Sequence, residues 1–177
     1  MPRPDFQTSI HGRRFGLSFD SKLIVNDANA GLDRAVVVPQ AVTRVSLTAA
    51  QMAGGFTTPV ELVAAPGAGK ALLVSRVDIS LPAGTAFGGI AAGEDITIVY
   101  SGGTDPVVTD IETTGFLDST AAEMRIARAI DVAGTYDLTA LADTAIDYEL
   151  LVGDITGGRA TFFDVYYEII DLTTFTL

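Results

Sequence analysis

The side chains able to do chemistry are few, and their spacing is uninformative for most reactions. His11 is the only histidine and there is no cysteine. One imidazole excludes multi-histidine metal sites, and the missing thiol excludes thiolate zinc, iron–sulfur clusters, disulfides and a cysteine nucleophile. His11 stands beside Gly12, outside any regular strand, and reads as a surface or interface histidine rather than a general base. Paired carboxylates could drive glycoside hydrolysis, and Glu94-Asp95, Asp110/Glu112 and Asp147/Glu149 are the available pairs. They sit one or two residues apart, and the alternation around them makes several the wet face of a strand. No Asp-x-Asp-x-Asp-Gly run is present to hold calcium. Pro66-Gly67-Ala68-Gly69-Lys70 invites a phosphate-loop reading, but Ala64 stands where the first glycine is required and Ala71 where a magnesium-binding hydroxyl is required. Leu72 likewise breaks a dinucleotide fingerprint, so the segment is expected to be a hairpin turn between strands. No catalytic residue, cofactor or metal is therefore expected, and the chain is expected not to be an enzyme; a hydrolase built on Glu94 and Asp95 has little support.

The elements that would position such groups are strands. In Ala71–Ser80, Leu73, Val77 and Ile79 alternate with Arg76, Asp78 and Ser80. Ile96, Ile98 and Tyr100 alternate with Asp95 and Thr97; Ile146, Tyr148, Leu150 and Val152 with Asp147 and Glu149; Phe163, Val165, Tyr167 and Ile169 with Asp164 and Glu168. Period two marks half-buried strands. Weaker strands are predicted at 35–38, 42–47, 60–64, 106–110 and 172–177. Together these suggest an all-β fold, a β-sandwich of jelly-roll-like kind with about eight strands. Two short connecting helices are predicted: one at Thr48–Ala53 ahead of Gly54-Gly55, and one after the capping-box pattern Thr120-Ala121-Ala122-Glu123, running through Arg128.

Length and charge bound the rest. The 177 residues are one domain's worth, enough to bury roughly two-thirds of the unfolded chain's surface. The net charge of −11 argues against nucleic-acid binding. No apolar run suits a membrane span or secretory signal, so a soluble chain made in the cytosol is expected. Residues 1–44 carry +2 and the remaining 133 carry −13. Such asymmetry, with the prolines and glycines of the first residues, suggests an extended arm over 1–35 on a body over 36–177. The arm's apolar residues, including Phe15, Leu17 and Phe19, require it to pack on its own body or a neighbouring chain. Phe162-Phe163 and Tyr166-Tyr167 are adjacent pairs, so one member of each must face away from the sheet's core. Such aromatics point to a second layer of the same domain, to the arm folding back, or to a subunit interface.

Leu47-Thr48-Ala49-Ala50-Gln51 followed by 56–71, and the closing Gly157-Gly158-Arg159-Ala160-Thr161-Phe162-Phe163-Asp164-Val165-Tyr166-Tyr167-Glu168-Ile169-Ile170, resemble elements of small structural proteins of tailed bacteriophages. The resemblance spans roughly residues 45–170. It implies a virion component made in the bacterial host cytoplasm, and in particular a capsid decoration (cement) protein on the outside of the head. Its partners would be the major capsid protein and copies of itself, as a homotrimer. Residues expected at a capsid or subunit interface are His11, Arg13, Arg14, Phe15, Leu17, Phe19, Phe162 and Tyr166. The alternative is a tail or baseplate component contacting carbohydrate through exposed aromatics such as Tyr166.

Overall fold

A computed structural model of the chain describes residues 41–103, 106–130 and 141–174, and before them only the backbone of three strands. These are β1 (Ser9–Ile10), β2 (Arg13–Leu17) and β3 (Leu23–Asn26), an antiparallel sheet in that order. Residues 1–40 and 41–177 form two compact units. The weak strand expected at 35–38 lies outside the described residues, as do His11 and Phe19.

In the second unit, period-two stretches become the strands β4 (Ala41–Leu47), β5 (Val60–Val63), β6 (Lys70–Leu81), β7 (Phe87–Gly88), β8 (Asp95–Tyr100), β9 (Ile111–Glu112), β10 (Glu123–Arg128), β11 (Ile146–Leu150), β12 (Thr156–Gly157) and β13 (Thr161–Asp171). One helix, α1 (Ala49–Ala53), follows β4. The strands form two four-stranded sheets, β10-β6-β13-β4 and β5-β11-β8-β9, and a two-stranded β12-β7 pair, all antiparallel. The protein is thus mostly β. Val77, Ile79, Phe163 and Val165 of the first sheet and Ile96, Ile98, Ile146 and Tyr148 of the second belong to one buried cluster. The Tyr148 and Phe163 rings meet across it, 5.4 Å apart and tilted by 58°. Burying side chains of this size stabilises the fold by about 1.5–3 kcal/mol each. Among the described residues no helix is long and apolar enough to cross a membrane.

Several expectations are corrected. The predicted helix ending at Arg128 is strand β10, paired with β6 from Glu123↔Leu81 to Arg128↔Arg76. Its residues obey period two, Ala127 buried and Met124 and Ile126 exposed, so tertiary pairing overrides the local capping pattern. The 66–70 turn is not a hairpin, because β5 and β6 belong to different sheets. It is a tight connection in which the Lys70 amide donates to the Gly67 carbonyl, and it opens a strand, which removes the phosphate-loop geometry. Residues 106–110 make only the isolated bridges Val99↔Pro106 and Val108↔Ala129. Pro106 has no amide to extend a ladder. The expected strand at 172–177 begins as a 3-10 turn, Leu172–Thr174, and 175–177 lie outside the described residues.

The phase of β6 differs too. Arg76 opposes Tyr166 while Val74 opposes Tyr167, which makes Ser75 the extra residue of a β-bulge; its hydroxyl donates to the Tyr166 carbonyl at 3.2 Å. An inserted residue inverts alternation. Val77 and Ile79 are inward as expected, but before the bulge Leu72 and Val74 are buried and Leu73 is turned out. Ile169 and Val152, both expected inward, are exposed as well, Ile169 near the end of β13 and Val152 beyond the end of β11.

Candidate functional site

The carboxylates that could have served catalysis are mostly used to hold loops or are crowded by like charge. Glu94 is 1 % exposed, and its carboxylate accepts the Val152 and Gly153 amides at 3.0 and 2.8 Å. It is a loop anchor, not a wet strand position. Asp147 is also buried, where a solvated residue was expected. Burial, then Glu112, Asp110 and Glu94, push Asp95 above its ordinary value; burial, then Asp147, does the same to Glu149. Among the described residues no group of three or more His, Asp or Glu side chains is placed to hold a metal ion.

The polar groups with the best geometry pin the chain in place. Asp154 accepts the Thr57 amide and hydroxyl at 2.9 and 2.6 Å, and these bonds hold it below the usual carboxylate range. The Ile155 amide donates to the Ala53 carbonyl at 2.9 Å. The loops after α1 and after β11 are therefore tied together, with Phe56, Leu151 and Val152 exposed on them. Arg159 is buried and donates to the carbonyls of Gly84, Thr85, Ser119 and Ala121. Nothing in its sequence neighbourhood announces this, because its partners lie 38 to 75 residues away. Tyr148 donates to the Met52 carbonyl at 2.7 Å, and burial pushes its phenol far above the ordinary value. Its hydroxyl ties β11 to α1.

Among the described residues, one sheet face exposes apolar side chains around charged ones. It is the face of the β10-β6-β13-β4 sheet opposite the core. Because Phe163 and Val165 point inward, Phe162, Asp164 and Tyr166 point outward, beside Val42 and Arg44 of β4, Arg76 and Asp78 of β6, and Met124 and Ile126 of β10. Val42 is 52 %, Met124 56 % and Ile126 50 % exposed, while Phe162 and Tyr166 are half-buried. The charges are paired within the face. Arg44 grips Asp164 with two hydrogen bonds of 2.6 and 2.5 Å, which hold the Asp164 carboxyl below its ordinary value. Arg76 meets Asp78 at 3.0 Å and lies over the Tyr166 ring, 4.0 Å from its centre. Arg76 Nε and Asp78 Oδ1 are nonetheless buried without a hydrogen-bond partner.

Of the residues predicted to make interfaces, Phe162 and Tyr166 are brought together here. Arg13, Arg14, Phe15 and Leu17 lie on β2, in the other unit, where only the backbone is described. Val42, Met124 and Ile126 were missed; the usable signal was the Met-x-Ile alternation of 124–126, hidden by the helix-capping pattern before it. Compared with known proteins, the chain matches no family model, no curated protein and no solved structure.

Proposed function

We propose that this chain is a non-enzymatic structural protein of a tailed-phage virion, a decoration protein that binds the outer surface of the head and stabilises the shell. Its body would be a β-sandwich of jelly-roll-like kind, its partners the major capsid protein and other copies of itself, three according to the resemblance, and neither nucleic acid nor membrane. The observation that carries a binding role is the outer face of the β10-β6-β13-β4 sheet, where exposed Val42, Met124 and Ile126 surround charges already paired with one another. Interface centres are enriched in Tyr, Phe, Met and Arg and poor in uncompensated charge. The sequence resemblance supplies the setting. A cement protein acts by mass action, since anything that binds only the assembled shell favours it. Residues 1–35, with Arg13 and Arg14, are the segment proposed to reach the shell; arms of this kind add strands to exposed edges.

Immunogold labelling of intact virions with an antibody to this protein tests the location. Label spread over the head is the expected result, whereas label at the tail tip favours the baseplate alternative and its carbohydrate test. Deleting residues 1–35 is expected to leave a folded body that no longer binds capsids. Undiminished binding would remove the role of the arm.

A further inference from the structure

We propose that the outer face of the β10-β6-β13-β4 sheet is where two copies of this chain pair, each presenting the same face to the other. This goes beyond the function proposed above, since it assigns a two-chain contact where the resemblance implies three copies, and it depends on no particular place in the virion. The argument begins with charge. Residues 41–177 carry six Lys and Arg against 18 Asp and Glu, a net of −12, so two such units repel over most orientations. Three of those six cations, Arg44, Arg76 and Arg128, occupy outward positions of this one sheet. The outward acids there are also three, Asp78, Asp164 and Glu168, so the face is neutral.

A neutral face is where two like-charged molecules can approach closely. It is also apolar, with Met124, Ile126 and Val42 about half exposed and the Phe162 and Tyr166 rings between them. Because Arg44 is already bound to Asp164 and Arg76 to Asp78, neither arginine needs a counter-charge from the partner. The remaining charges, Arg128 and Glu168, are one of each sign, so the face can meet its own copy without a net like charge on either side. A cationic partner would be drawn elsewhere on so acidic a unit. A two-fold contact of this kind is isologous and closes at two chains.

Sedimentation of the full chain between about 1 and 100 µM tests this directly, over the range where modest interfaces dissociate. The expected species has twice the 18.5 kDa chain mass. Raising the ionic strength from about 0.01 to 0.15 M should strengthen the pairing, because screening relieves the repulsion of the acidic remainder while the contact itself carries no net charge. Met124→Glu and Ile126→Glu should each weaken pairing at least tenfold with unchanged far-UV circular dichroism. Leu151→Glu, at an equally exposed apolar position off this sheet, should leave it intact. Where a β10 variant loses its native spectrum, Val42→Glu on the opposite edge strand replaces it. A single-chain mass across the whole range overturns the proposal, as does a three-chain mass, which two-fold contacts alone cannot build. Pairing that weakens with salt, survives all the face variants, or is lost equally with Leu151→Glu also overturns it. Capsid binding is not part of this measurement, so failure here leaves the virion reading standing, and failure of the labelling leaves the pairing standing.

Discussion

Gly158 shows how tightly single residues are constrained near the start of β13. Its backbone has φ of +87°, and a Cβ built there would lie 2.0 Å from the Phe87 ring, itself buried in the core. An alanine must therefore adopt a conformation that L residues disfavour and also displace an aromatic side chain. Gly158→Ala is expected to destabilise the protein by at least about 2 kcal/mol, read as a lower urea midpoint with an unchanged slope. The glycine was visible in the sequence as part of a turn into the last strand. Its contact with Phe87, 71 residues earlier, was not, because nothing local to either residue encodes it. Arg159 beside it makes the same point: a lone arginine after two glycines looks like a surface charge until its four carbonyl partners are assembled around it.

At the scale of elements, what was legible depended on whether one face or both were covered. Strands β11 and β13 stood out because their apolar members Tyr148, Leu150, Phe163 and Val165 are buried while Glu149, Phe162, Asp164 and Tyr166 keep part of their surface exposed; Asp147, buried as well, is the exception. The β6 pattern misled because Ser75 inserts one residue and reverses the phase, and a bulge leaves no mark in composition. The two helix predictions carried similar capping signals and had opposite outcomes. At α1 the Thr48 hydroxyl accepts the Gln51 amide at 3.3 Å and the Gln51 side chain accepts the Thr48 amide at 2.9 Å, and no strand competes for the segment. At Glu123–Arg128 the open edge of β6 does compete, and pairing along six residues prevails. Thr48→Ala should cost about 1 kcal/mol, measurable by chemical denaturation, because it removes one half of the reciprocal cap.

For the whole molecule, acidity sets the pH response. Asp95 and Glu149 have values raised by burial and neighbouring carboxylates, so between the unfolded and folded values the native state binds more protons and stability rises as pH falls. Asp164, Asp154 and Asp171 have values lowered by hydrogen bonds from Arg44, Thr57 and Thr173 respectively, so their contribution is present above the ordinary carboxylate value and is lost as pH drops through the lowered ones. Stability should therefore peak on the mildly acidic side of neutrality and fall steeply below about pH 3.8. Thermal melts across pH 3 to 8 check this, and Asp95→Asn should flatten the limb between the peak and neutrality. The candidate surface was legible only through Phe162 and Tyr166, since its other members come from three strands that sequence order does not place side by side.

The position of β13 between β6 and β4 has a consequence for how the protein is made. Val42 and Val45 face partners at Tyr166 and Phe163, more than a hundred residues later, so both β4 and β6 present unsatisfied strand edges until β13 has been made. The first sheet cannot close on the ribosome until residue 171 has emerged, and a chain halted earlier would expose the two edges most able to recruit another nascent chain.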